Sequence, residues 1–483
     1  MVLGEVNYGL FGLVAGLTAF VGFFNSLFSA AVARYYACAV GRAKMDQENG
    51  LEECRQWFST ALTIHTIVPI VMVIVGYPIG AYAVEHWLTI PADRVMNCVW
   101  VWRFACLSCF VGMVNVPFQA MYTAKQEIAE LTIYEFARTT LNVIALYLML
   151  AHPRDWLVMY AGWTCLLSVV PQMIICARAC LCYDECRFKF AYAWNPVKVR
   201  ELSVFAGFRF LGALAIMVSN QGMAILVNKV LGPTRNASMA VGNTLAGQAN
   251  TFAAALSGAL SPAIANAYGE GNLERVRKLA LYACKFSGAL VLMFAIPLIL
   301  EAEEVLLLWL KNPPAESAIL CELMLVVLVL ENLSCGHYMA IFAVGKIGRY
   351  QTTMACSSLI ALVLAFGGLF IVKRLMMIGV ALVVSKMLVI VVRLYYARKI
   401  AGLSAREWVL RAAFPLASAS VIALAGGILV VKGFSPSFFR VVMTAGVSVP
   451  LFLLVNWFLV FTPFEREMLR SKFSDLSRWR RDA

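Results

Sequence analysis

LGEVNYG, residues 3–9, and LGPTRNA, residues 231–237, are the two stretches whose relationship decides the fold. Each reads as a short glycine-bearing loop, and each runs straight into an apolar segment. Gly4 and Gly232 lie 228 residues apart. Gly41 and Gly269, which close the following segments in AVG and AYG, are separated by the same 228. Further on, LEECR at 51–55 matches LERVR at 273–277, and Lys125 matches Lys346 at an offset of 221. Two halves of the chain therefore repeat one design. In the second half a helix precedes the motif; in the first its counterpart is missing. The chain reads as a fourteen-helix design lacking its first helix.

Composition sets the class. Apolar residues make up 61%, charged residues 14%, and mean hydropathy is +0.78. A soluble domain is about half apolar and about a quarter charged. Here apolar runs of about 20 residues recur, the length a helix needs to cross the hydrocarbon core. The expectation is an all-α polytopic membrane protein, since lipid cannot satisfy an open sheet edge. Thirteen spans are predicted, at 10–33, 60–83, 98–123, 130–151, 156–177, 203–228, 240–265, 282–300, 318–343, 353–372, 377–396, 412–431 and 441–462. They group into an N-terminal lobe of five helices (1–177), a basic and aromatic amphipathic linker at the membrane surface (178–202), and a six-helix lobe (203–400). Two extra helices and a basic tail (401–483) complete the chain. No cleavable signal peptide is visible at the N-terminus.

Charge placement predicts orientation. With Lys285 and Arg393 counted among the adjoining loops, one side carries 27 Lys and Arg and the other nine. Arg103, Arg138, Arg209 and Lys386 fall within spans. The basic side is the cytoplasmic one. That places the C-terminus in the cytoplasm and, for an odd count of spans, Met1 outside. Both halves then share one orientation, as in a parallel repeat about an axis along the membrane normal. The net charge of +13 is mostly this topology signal and points to no nucleic acid.

The residues suited to chemistry are few. Arg138, about eight residues into its span, faces the bundle interior or water, because a guanidinium in lipid is costly. It is a candidate ligand for an anionic group or the partner of Glu135 one turn away. Arg209 and Lys386 are further candidate cations; Arg103, beside Trp100 and Trp102, fits a snorkelling interfacial residue better. Gln221 with Asn228, and Asn243 with Asn250, are each seven apart and share a helical face, as Asn25 shares one with Ser29 and Asn115 with Gln119. They can line a polar cavity or bond between helices. Glu331, in mid-span, is the candidate coupling-ion site or the partner of Lys386; Glu322 lies shallower. The six aspartates all lie in loops, which weakens an acidic cation site in the first lobe. Pro117, Pro171, Pro262, Pro297 and Pro415 are candidate kinks.

Enzyme signatures are absent. The four histidines have no metal-ligand spacing, and no GxSxG, P-loop or HExxH occurs. The 14 cysteines read as core filler; Cys176, Cys180, Cys182 and Cys186 match no common zinc spacing. No catalytic residue, metal or cofactor is expected.

A run of segments carries a family likeness: the whole stretch 3–41, ECRFKF at 185–190, SNQGMAILVNKVLGP at 219–233, QANTF at 248–252, SPAIANAYGEGNLE at 261–274, KFS at 285–287 and GKIGRYQ at 345–351. In order along the chain, these resemble the O-antigen and capsule flippases (Wzx-type polysaccharide transporters) of the multidrug/oligosaccharidyl-lipid/polysaccharide exporter superfamily. The resemblance implies two helical lobes, two C-terminal helices and a central cavity. It also implies an undecaprenyl-pyrophosphate-linked oligosaccharide as cargo, moved across the bacterial inner membrane by alternating access, with membrane lipids and other polysaccharide-assembly proteins as partners. Cations suit the pyrophosphate and amides the sugar hydroxyls. Two rival readings stand beside it. A cation-coupled multidrug antiporter of the same fold would want an acidic, aromatic cavity. A membrane polysaccharide polymerase or ligase would want a large external loop, and the external loops here are short.

Overall fold

The computed structural model describes residue 25 and residues 28–87, 90–150, 157–463 and 465–467. Most of the first predicted span, 10–33, lies outside these residues. So do the motif at 3–9 and most of the basic tail. Of the other twelve predicted spans, 318–343 falls on two helices and the rest fall on one helical stretch each; the described residues contain no strand.

In chain order the helices are α1 (28–43), α2 (Gln47–Tyr82), α3 (Val95–Ala124), α4 (Ile128–Leu150), α5 (Leu157–Cys182), α6 (Pro196–Leu231), α7 (Pro233–Gly269) and α8 (Leu273–Leu300). Then come the short α9 (Ala302–Leu310), α10 (Ser317–Leu333), α11 (Cys335–Val344), α12 (Gly348–Val372), α13 (Met376–Ala401), a short α14 (Ala405–Trp408), α15 (Phe414–Gly433) and α16 (Phe438–Val455). Among the described residues nine helices are long and apolar enough to cross a membrane; α10 and α11, bent by 44° at Ser334, make a tenth as one broken span. Two helices fall short for visible reasons. α4 carries Glu130, Glu135 and Arg138, and α7 is rich in amides and small residues.

The chain divides into two compact units. The first comprises residues 1–210 with 265–272, the second 211–264 with 273–483. The last two helices fall within the second of these units. Two buried ion pairs explain this. Arg440 of α16 donates from Nε and Nη2 to the Glu301 carboxylate at 2.8–3.1 Å, and Thr444 Oγ1 adds a bond of 2.7 Å. Lys285 of α8 grips both oxygens of Glu465 at 2.8 and 2.9 Å, with both side chains 2% exposed. Glu465 also accepts from the Thr462 amide while Thr462 Oγ1 accepts from the Glu465 amide, a reciprocal cap that starts the tail helix. Lys285 and Arg393, counted with the loops in the charge tally, are therefore buried helix residues, 2% and 4% exposed.

The second repeat motif shows why its residues are required. Gly232 has φ +90°, a left-handed conformation that a side chain strains, and Pro233 opens α7. Arg235 donates from Nε to Glu316 at 3.0 Å, and the other Glu316 oxygen caps the Leu375 amide at 2.9 Å. The repeat itself appears within the first unit. A Cβ on Gly41 would lie 2.1 Å from the Asn266 carbonyl oxygen, and one on Gly269 would lie 2.1 Å from that of Cys38. Cys38 and Asn266 are again 228 apart.

The linker is shorter than 178–202. α5 runs to Cys182 and α6 begins at Pro196, so only 183–195 connects them. This piece forms two 3₁₀ turns fastened to α2. The Lys189 amide donates to Ser59 Oγ at 3.2 Å, Thr60 Oγ1 donates to the Tyr192 carbonyl at 3.1 Å, and the Tyr192 hydroxyl donates to Glu52. The Glu52 carboxylate holds the Tyr192 phenol above its ordinary range. Burial pushes the Cys186 thiol up as well.

Candidate functional site

The densest set of in-span charges lies in the second unit, where α10 breaks into α11. A helix break frees main-chain carbonyls that lipid cannot satisfy. Here side chains take them. Arg393 Nη1 donates to the Glu331 carbonyl at 3.1 Å and to Ser334 Oγ at 2.9 Å; Trp408 Nε1 donates to the Leu333 carbonyl at 2.7 Å. Arg393 Nη2 reaches the Glu331 carboxylate, and the other carboxylate oxygen accepts from Lys386 Nζ at 2.6 Å. Two cations thus share one anion, and the cluster carries a formal charge of +1.

The geometry separates the two cations by role. Arg393 is 5% exposed and lies beneath Tyr338, its guanidinium 5.5 Å from the ring centroid. It supports the break. Lys386 is 29% exposed and Glu331 35%, against 5% for Arg393. Seven residues separate Lys386 from Arg393, about two turns, which brings both to one face of α13. Arg393 is the residue that sequence reasoning missed. It lies so near the end of its span that charge counting took it for a loop cation. Its seven-residue spacing from Lys386 was the available signal.

The other predicted residues fall as follows. Arg138 is 44% exposed on α4 and pairs with Glu135 at 2.6 Å. Arg209 is half-buried in α6. Gln221, Asn228 and Asn243 are exposed. Asn250 accepts at 3.3 Å from Asn332, a bond between α7 and α10. Asn25 keeps a buried Oδ1 with no donor. Glu322 is half-buried on α10, nine residues or about two and a half turns before Glu331 on the same helix. The second unit thus brings Glu331 and Lys386 together, while Gln221, Asn228 and Asn243 share no hydrogen bond with them. Among the described residues no group of His, Cys, Asp or Glu is arranged to hold a metal ion.

The fold is similar to that of solved MATE structures. One similar structure is a multidrug resistance MATE family transporter in an outward-facing conformation: 15% identity, TM-score 0.65, covering 83% of this chain and 93% of that one. A MATE in complex with MaL6 is similar at 16% identity and TM-score 0.67, covering 83% and 91%. A MOP superfamily transporter from Pyrococcus furiosus, whose binding pocket is described as reversed in polarity, is similar at 16% identity and TM-score 0.66, again covering 83% and 91%. In sequence, residues 210–371 match the MatE family, from the end of the first unit through α12. No curated protein matches the chain.

Proposed function

We propose that this protein is a flippase that moves an undecaprenyl-pyrophosphate-linked oligosaccharide across the bacterial inner membrane by alternating access. The observation that carries the reading is the sign of the cluster on α10 and α13. Its carboxylate is already matched by Lys386 and Arg393, leaving a surplus positive charge at a partly exposed position. That polarity suits a pyrophosphate and disfavours a cationic drug. Exposed amides on α6 and α7 (Gln221, Asn228, Asn243) suit sugar hydroxyls, which both donate and accept. Glu331 then serves to hold Lys386 in place and is not the primary coupling-ion site. The order of segments that resembles the Wzx-type flippases agrees with this reading. The cytoplasmic position of the C-terminus follows from the charge asymmetry.

The test is complementation of a flippase-deficient strain. Lys386→Ala should abolish surface polysaccharide while the protein still inserts. Arg138→Ala should do the same if Arg138 also meets the pyrophosphate, and Arg138→Lys should restore part of it, lacking the bidentate fork. Normal polysaccharide from Lys386→Ala at equal protein level refutes the role assigned to the cluster.

The second reading is a cation-coupled multidrug antiporter. The similarity in fold to a multidrug resistance MATE family transporter favours it. It requires Glu331 to release Lys386 and bind the coupling cation. Drug efflux that depends on a sodium or proton gradient and is lost in Glu331→Gln, without complementation of the flippase strain, would establish it.

A further inference from the structure

Within the first unit α2 and α3 pack against each other at two levels. Near the α2–α3 connection, Val84, Cys98 and Trp102 form one buried cluster with Tyr77 and Ala81 against it. Toward the other end, Phe58 of α2 meets Phe118 of α3 at 5.2 Å. Between these levels the two helices border a cleft of about 380 Å³. That volume is within the range of small-molecule sites. Its walls are apolar and adaptable: Met72, Val73, Cys106, Cys109 and Phe110. Gly76 also lines it, and a Cβ there would meet nothing within 4 Å.

The cleft belongs to an outward face. Ile70 and Ile74 of α2 are 42% and 67% exposed, and Leu107 of α3 is 49%. Both helices are long and apolar enough to span, and an exposed apolar face on a spanning helix is turned to lipid.

One charge stands at the mouth. Trp100, Arg103 and Leu107 share an exposed face of α3 at helical spacing. Arg103 donates from Nε to the hydroxyl of Tyr77, which lines the cleft, at 3.1 Å. Its guanidinium carbon lies 4.5 Å from the Trp100 ring centroid. Neither contact engages its Nη groups, and among the described residues no carboxylate pairs with it. Asp93 is taken by Arg94 at 3.3 Å and lies ten residues before Arg103. Glu85 lies eight residues beyond Tyr77, more than two turns away along the helix. The 30 residues of α3 extend about 45 Å against about 30 Å of hydrocarbon. Arg103, about 12 Å from the start at Val95, is therefore just inside the hydrocarbon edge, and its stem reaches headgroup level. Trp100 and Tyr77 suit the same interface.

We propose that this cleft is a binding site for one anionic diacyl phospholipid. The phosphate accepts from the Arg103 Nη groups, a bidentate match, and one acyl chain runs along Gly76, Cys106 and Cys109. A zwitterionic head would bring an ammonium for which the mouth has no free acid. With the orientation that charge placement predicts, the lipid comes from the outer leaflet. Binding here is independent of the cargo.

The experiment is photo-crosslinking of the full chain in phosphatidylethanolamine nanodiscs containing phosphatidylglycerol with a diazirine in one acyl chain. Mass spectrometry maps the labelled peptides. Labelling should concentrate on 69–77 and 102–113, several-fold above the exposed apolar face of α15 at Val421 and Leu429. Gly76→Leu fills the cleft from a position with free space, so it should fold and lose that labelling several-fold. Cys109→Phe fills it from the other wall if Gly76→Leu does not fold. Phosphatidylcholine with the same diazirine should label the cleft several-fold less in the wild type, and Arg103→Gln should erase the difference. Labelling spread evenly over α2, α3 and α15, or unchanged in the filled variant, overturns the proposal. Equal labelling by the two lipids in the wild type overturns the anionic preference. Undecaprenyl phosphate that displaces the label at a lower concentration than unlabelled phosphatidylglycerol gives the cleft to an isoprenoid lipid and overturns the phospholipid assignment.

Discussion

Arg393 binds Glu331 twice, donating from Nη1 to its main-chain carbonyl at 3.1 Å and from Nη2 to its carboxylate. One side chain thereby closes the end of α10 and neutralises the acid there. The α10–α11 break and the charge cluster are one feature, since the carbonyls released at the break need donors and Arg393 supplies them.

This coupling orders the effects of substitution. Glu331→Ala leaves Arg393 buried without its anion and should destabilise by about 3–5 kcal/mol, the cost of breaking a buried pair. Lys386→Ala removes the more exposed partner and should cost about 1 kcal/mol or less. Thermal-shift midpoints in one detergent check the order. A Lys386→Ala midpoint below that of Glu331→Ala contradicts it.

The attachment of the C-terminal helices makes a second prediction. Lys285→Ala leaves Glu465 without its counter-charge in a 2% exposed setting. Arg440→Ala does the same to Glu301. Each should cost about 3–5 kcal/mol. Limited proteolysis reads the consequence directly: cleavage after α16 should accelerate in Lys285→Ala, and at the α15–α16 turn in Arg440→Ala. Replacing both members of a pair with apolar residues should recover much of the loss.

At the crossing of the repeats, Gly41→Ala and Gly269→Ala each force a methyl to within 2.1 Å of a backbone carbonyl oxygen. Helices must separate, at a cost typical of overpacking, about 1–3 kcal/mol or more. Gly76→Ala, where a Cβ meets nothing within 4 Å, should be neutral or slightly stabilising, because alanine favours helix. Folded yield on size-exclusion chromatography distinguishes them. Equal yields for Gly41→Ala and Gly76→Ala would disprove the close approach.

Topology gives the fourth test. Reporter fusions in the turn at 345–347 and after residue 467 should report cytoplasm, and a fusion at 434–437 the outside. A reporter at 434–437 found in the cytoplasm reverses the whole orientation.

By itself the sequence determined the class, the helices and the repeat. Twenty-residue apolar runs admit one architecture in lipid, because a helix satisfies its own backbone. The 228-residue offset predicted a doubled design, and Gly41, Cys38, Asn266 and Gly269 meet in the structure at that offset. The pairing of Glu331 with Lys386 was also legible as an alternative, since two opposite in-span charges seek each other. What tertiary structure decided was partnership across long separations. Glu331 and Arg393 are 62 residues apart, Lys285 and Glu465 are 180, and no periodicity links such positions. The same holds for single cations. That Arg103 meets Tyr77 and no carboxylate, or that Arg393 is a buried helix residue and not a loop cation, depends on what neighbouring helices bring to the contact. Hydropathy says which faces avoid water. Only packing says which polar atom finds its donor.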